Sequence, residues 1–223
     1  MICNSYGIDD IQCFALIYRH FYTIIHLWGD YMKSVECLPE DYKEIYAVDL
    51  QKNKKIALLV NLLAMAIAVF LAVPMHFFVP IFSMFSMENG LQNYIIRFVV
   101  LLVLSILYII LHELVHGVAM KICGTKIVKY GFTGLYAFAG SKDFYDKKSY
   151  IFITLAPVVF WGVILACINV FVCVEWFWVI YLIQIINLSG AAGDLFVTVK
   201  FLRLPSDILI QDYGVGMKVY SQK

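Results

Sequence analysis

The stretch YIIRFVVLLVLSILYIILHELVHGVAM, Tyr94 to Met120, decides how this chain is read. It exceeds the roughly 20 apolar residues that a helix needs to cross the hydrocarbon core of a bilayer. Near its end stands His112-Glu113-Leu114-Val115-His116-Gly117. Residues four apart share a helical face, so His112 and His116 can aim two imidazoles at one metal ion. Glu113 then lies beside that ion, where a carboxylate takes a proton from water. The bland alternative is a polar kink buried between helices. It is disfavoured because ionisable groups in apolar surroundings are costly without a partner. A metal ion supplies that partner.

Composition agrees with a membrane setting. The chain has 223 residues, of which 62% are hydrophobic and only 15% charged. Its mean hydropathy is +0.82. Soluble domains are nearer half apolar and a quarter charged. The net charge of +1 excludes nucleic acid as the expected partner. The six cysteines form no CxxC pair and no disulfide framework. The first residues lack the basic start and small-residue cleavage site of a secretory signal peptide.

Four apolar runs are expected to span the membrane. They are Ile56 to about Met75 or Phe82, Tyr94 to about Met120, Tyr150 to about Val174, and Trp176 to about Leu202. Lysines set their direction. The segments Ser83 to Asn93 and around Glu175 hold no Lys or Arg, whereas Lys121 to Ser149 holds six lysines and the tail holds Arg203, Lys218 and Lys223. Both termini and the long middle loop are therefore expected in the cytoplasm. Ile8 to Trp28 reads as an amphipathic or interfacial helix rather than a fifth span, because Asp9, Asp10, Arg19, His20 and His26 interrupt it. Asp30 to Asp49 reads as a polar lead-in with a turn. Lys126 to Phe132 and Leu135 to Ala139, separated by Thr133-Gly134, read as a β-hairpin. The tail Gly214 to Tyr220 could add a short strand. The fold class is thus an all-α integral membrane protein with about four transmembrane helices and a small cytoplasmic β-hairpin. The expected division is an N-terminal cytoplasmic or interfacial segment (1–50), a membrane core (51–203) and a cytoplasmic tail (204–223).

Two histidines leave a catalytic zinc one protein ligand short. Asp143, Asp146, Asp207 and Asp212 fall in cytoplasmic segments and read as solvated surface charges. Asp194 interrupts an apolar span. Span two reaches His112 about 18 residues from its outer end, and span four reaches Asp194 after about 18, or ~27 Å each at 1.5 Å per residue. Asp194 is the first candidate for the third ligand, with a hydrogen-bonded interfacial carboxylate as the alternative and Asp143 or Asp146 next in line. Asn187, Gly190, Ala191 and Asp194 follow i, i+3, i+4, i+7, one helical face. Small residues there let another helix approach. Asn187 is placed to hold a substrate backbone or to support a ligand. Val128 and Tyr130 of the hairpin are the other candidate substrate contacts.

HELVHG ending one span, a β-rich loop, and Asn187-x6-Asp194 in a later span resemble the site-2 protease type of intramembrane zinc metalloprotease. The chain is more similar still to a small bacterial family of zincin peptidases, DUF3267. Leu38-Pro-Glu-Asp-Tyr-Lys43, Leu155-Ala-Pro157 and Asp212-Tyr-Gly214 add to the resemblance, which covers about Leu38 to the C-terminus. It implies that His112, His116 and Asp194 bind Zn2+ and that Glu113 activates water, in a multi-pass protein of a bacterial cell membrane. Site-2 proteases usually carry prolines and an Asp-Gly pair around the third ligand, whereas here Leu195 follows Asp194 and no proline is near.

The expected function is a membrane-embedded zinc metalloendopeptidase acting on a membrane-protein or peptide substrate near the cytoplasmic interface. The competing reading is a non-enzymatic membrane protein with a structural or sensory metal site, which gives Glu113 nothing to do. A transporter is a poor fit, since four spans with no visible repeat are not the usual architecture.

Overall fold

The computed structural model describes residues 34–49, 52–134 and 136–222. The amphipathic segment expected at Ile8 to Trp28 lies outside them. Among the described residues, four helical stretches are long and apolar enough to cross a membrane: Lys54–Phe78, Gly90–Ile122, Lys147–Phe171 and Val174–Leu202.

Local chemistry sets their ends. Helix α1 (Lys54–Phe78) starts where the Asn53 side chain accepts from the Ile56 amide at 3.2 Å, and it stops at the extended residue Val79, just before Pro80. A short 3₁₀ turn, Ile81–Phe85, leads to α2 (Gly90–Ile122), which has 33 residues. Asp146 caps α3 (Lys147–Phe171) by accepting from the Ser149 amide at 2.7 Å. The expected fourth span is two helices, α4 (Val174–Gly190) and α5 (Ala192–Leu202), broken at Ala191. Gly190 and Gly193 flank the break, and each glycine disfavours a helix interior by about 1 kcal/mol relative to alanine. Asn187 and Asp194 therefore sit on different helices and do not share one continuous face.

The expected all-α fold with a single hairpin needs correction. The hairpin exists, as β3 (Lys129–Phe132) paired with β4 (Ala137–Gly140). Beside it is a five-stranded antiparallel sheet in the order β1-β5-β6-β7-β2. Its strands are β1 (Ser34–Val35), β2 (Tyr42–Asp49), β5 (Phe144–Asp146), β6 (Leu209–Asp212) and β7 (Gly216–Gln222). The pairing of β2 with β7 runs from Tyr42↔Gln222 to Asp49↔Gly216, so segments placed at opposite ends of the sequence form one ladder. In β2, Val48 is the only fully buried residue, and a bulge between Glu44 and Tyr46 breaks the alternation that would mark a strand.

One core joins sheet and helices. Met120 at the end of α2, Tyr150 and Ile153 on α3, Val197 and Phe201 on α5, and Tyr145, Ile210 and Val219 of the sheet pack together. Lys147 donates to the Leu202 and Leu204 carbonyls at 3.0 and 2.7 Å and so closes the end of α5. The Lys200 ammonium lies 4.3 Å from the Tyr46 ring centroid, tying α5 to β2. Two smaller clusters, around Trp178 and around Tyr108, join the helices elsewhere, and much of the remaining helix surface is apolar and exposed. Helix α1 has no buried residue, and Leu62, Met65, Val69, Phe70, Leu102, Val103 and Ile106 are all exposed.

Phe201 is fully buried where the sheet meets the helices. Phe201→Ala is expected to lower stability by ~3–5 kcal/mol in denaturant unfolding of the detergent-solubilised protein. A loss below ~1 kcal/mol, near the average for an arbitrary substitution, would show that this cluster does not hold the sheet.

Candidate metal centre

The site is built where the C-terminal part of α2 meets the first turn of α5. Residues 112 and 116 are about one helical turn apart, so their rings share one face and meet edge to face, with centroids 4.9 Å apart. The helix break at Ala191 turns Asp194 toward them. Its Oδ2 lies 3.6 Å from Nε2 of His112 and 3.6 Å from Nε2 of His116. Donors bonded to one tetrahedral zinc at ~2.0–2.2 Å stand a little over 3 Å apart, so these separations fit that ion. The ligating atoms of His112, Glu113 and His116 also lie within 4.8 Å of one another.

Each imidazole is oriented through its other nitrogen. His116 Nδ1 is 2.9 Å from the Ile153 carbonyl, which only accepts, so His116 carries its proton on Nδ1 and offers Nε2. His112 Nδ1 is 2.8 Å from the Tyr108 hydroxyl. That hydroxyl donates to Asn187 Oδ1 at 2.8 Å, which leaves its oxygen to accept from His112. Asn187 in turn donates from Nδ2 to the Val158 carbonyl at 3.1 Å. Both Nε2 atoms thereby present lone pairs to the point where Asp194 converges, the arrangement a metal-binding histidine requires.

A cavity of about 370 Å³ opens above this point. His112, Glu113, His116 and Asp194 form its floor, and Tyr136 to Ala139 border it on the hairpin side. The Ala139 amide is directed at the Glu113 carboxylate. The β6–β7 turn supplies Gly214 to the lining, β7 supplies Met217, and β2 supplies Val48. Gly140 and Gly214 touch backbone to backbone, and a Cβ on Gly140 would collide with the neighbouring turn, so the two hairpins lock together over the site. Gly117, the last residue of the motif, has a similar purpose: the space of its missing side chain is filled by the Tyr130 hydroxyl.

Residues 105–209 match the DUF3267 family, described as "Putative zincin peptidase". The match takes in His112, Glu113, His116 and Asp194. The chain is also similar to the "Uncharacterized 24.7 kDa protein in gap 5'region" of Pyrococcus woesei, at 32% identity over 112 residues. It spans about half of that relative, the aligned part being 48% of each chain. No solved structure matches the chain. A zincin is a zinc peptidase, and the donor set on the floor of the cavity is of the type that such a zinc takes.

Other residues singled out in the sequence lie differently. Asn187 is fully buried, does not line the cavity, and has its amide committed to Tyr108 and Val158. Val128 packs on the core beneath the sheet, and Tyr130 lies over Gly117; the strand that faces the cavity is β4. Asp146 caps α3, and Asp143 is not among the cavity residues. Asp212, read as a solvated surface charge, instead lines the cavity. It accepts from the Tyr150 hydroxyl at 2.7 Å and from the Gly214 amide at 2.8 Å, and its enclosure pushes the carboxyl above the ordinary range. Its place beside Gly214 in Asp212-Tyr-Gly214 was the one signal available.

Tyr108 is the joint between His112 and Asn187. Tyr108→Phe strands two buried polar groups, His112 Nδ1–H and Asn187 Oδ1. It is expected to lower stability by ~1–3 kcal/mol and zinc affinity by ~10–100-fold, read by unfolding and by competition with a chelating dye. Unchanged zinc affinity would remove the relay from any part in holding the metal.

Proposed function

We propose that the protein is a membrane-embedded zinc metalloprotease that hydrolyses peptide bonds of membrane-associated substrates near the cytoplasmic interface. The observation that carries this reading is the approach of Asp194 to both histidines at 3.6 Å, with Glu113 beside them on the floor of one cavity.

The membrane part rests on the bare apolar helices. Soluble monomers rarely expose a contiguous apolar patch larger than a few hundred Å², and here such residues cover α1 and much of α2. Lipid is the solvent that removes their cost. The direction rests on charge. The lysines of the segment after α2 and of the C-terminal strands lie on the side of the sheet, which is read as cytoplasmic.

Zinc held by His112, His116 and Asp194 would polarise the scissile carbonyl and lower the pKa of water beside it. The rest falls to the chain's own groups. Glu113 accepts the proton of the attacking water and returns it to the leaving amine. The hydrogen-bonded partners of the two imidazoles keep the ligands in place while this happens. Strand β4 pairs with β3 and lines the cavity, so an unwound substrate segment could lie along it as an added strand. Glu113 also separates this reading from a structural metal site, which has no use for a carboxylate directed into an open cavity.

The purified protein is expected to hold about one zinc per chain. Asp194→Ala should lose zinc and cleavage together. Glu113→Gln keeps the shape of the side chain but cannot accept a proton, so zinc should stay while cleavage falls by at least ~100-fold. Near-normal cleavage by Glu113→Gln would falsify the hydrolase reading, and full zinc in Asp194→Ala would move the third ligand elsewhere. For the orientation, a cysteine placed at the exposed position Lys142 should resist impermeant thiol reagents in intact cells and react once the membrane is opened. Labelling of intact cells would invert the assignment.

A further inference from the structure

Pro157 lies inside α3, in the segment Leu155-Ala156-Pro157. A proline in a helix interior removes one hydrogen bond and presses its ring on the carbonyl four residues earlier, which destabilises the helix. Such a residue is tolerated in an apolar helix where the freed backbone group finds another partner. The carbonyl four residues before Pro157 belongs to Ile153. That same oxygen lies 2.9 Å from His116 Nδ1. Ile153 and Pro157 are both buried, so water is not a ready substitute for either side.

We infer that Pro157 is a positioning residue for the metal centre: by bringing no N–H to the helix, it reserves the Ile153 carbonyl for His116 and fixes which nitrogen His116 turns to the metal. Two defects cancel. An unpaired buried carbonyl and an unpaired buried imidazole N–H are each costly, and their meeting removes both costs. The other imidazole is treated in parallel, since the relay from His112 through Tyr108 and Asn187 ends on Val158, the residue after Pro157. Helix α3 holds neither ligand, yet it receives the hydrogen-bond chains from both.

The inference rests on the zinc reading of the triad, and one experiment separates the two. Zinc affinity is measured by chelator competition for three purified proteins: wild type, Pro157→Ala, and a variant with lactic acid at 157, whose backbone ester lacks both the N–H and the ring. Alanine restores the donor, the helix reclaims the Ile153 carbonyl, and zinc should bind ~10–100-fold more weakly. The ester should bind as wild type does, because the missing donor and not the ring is what matters. Wild-type affinity in Pro157→Ala, or an equal loss in the ester, would overturn the inference while leaving the site intact. Wild type without zinc would sink the zinc reading instead. Should Pro157→Ala not fold, nitrogen NMR of the histidine-labelled, cadmium-loaded wild type decides. Metal on His116 Nε2 with a proton on Nδ1 supports the arrangement, and metal on Nδ1 refutes it.

Discussion

A histidine that gives one ring nitrogen to a metal must place a proton from the other, and an apolar helix bundle offers few acceptors. Much of the packing around the candidate site follows from that constraint. His116 finds a backbone carbonyl on α3, and His112 finds the Tyr108 hydroxyl, which Asn187 holds from a third helix. The site thus ties α2, α3, α4 and α5 together through hydrogen bonds as well as through Asp194. In such surroundings each of these bonds replaces an unpaired buried group, so the arrangement stabilises one packing of the helices over its neighbours.

The second organising element is the sheet. Its strands come from before α1, between α2 and α3, and after α5. It packs on the helix ends through Tyr145, Ile210 and Val219, which meet Tyr150 and Phe201. Through the β6–β7 turn it also walls the cavity, where Asp212 holds Gly214 in its left-handed conformation at φ +94° beside Gly140. The family match ends at residue 209, short of Asp212, Gly214 and Met217. Parts of the cavity thus lie outside the matched segment.

Much of this was legible in the sequence, for physical reasons. Four apolar runs mark helices because length and hydropathy leave little else possible. The i, i+4 spacing places two imidazoles on one face, and rise per residue brings Asp194 to the depth of His112. What was hidden follows equally plain causes. Strands β1 and β5 have two and three residues, too few to show a period, and the bulge in β2 spoils its alternation. The break at Ala191 puts Asn187 and Asp194 on separate helices, which a single face drawn across both does not show. Asn187 drew notice as a polar residue in an apolar run, but its partner Tyr108 looked like any aromatic core residue. Asp212 looked like a surface charge because only its place beside Gly214 hints that two hairpins close around it.

The β2–β7 ladder has a consequence in time. During synthesis the ribosome delivers α2 with its histidines, then α5 with its carboxylate, and only afterwards the strand that carries Gly216 and Met217. Until β7 is made, β2 waits without its partner and the chamber above the ligands lacks a wall. The chamber above these side chains can therefore be completed only after the described helices have been made.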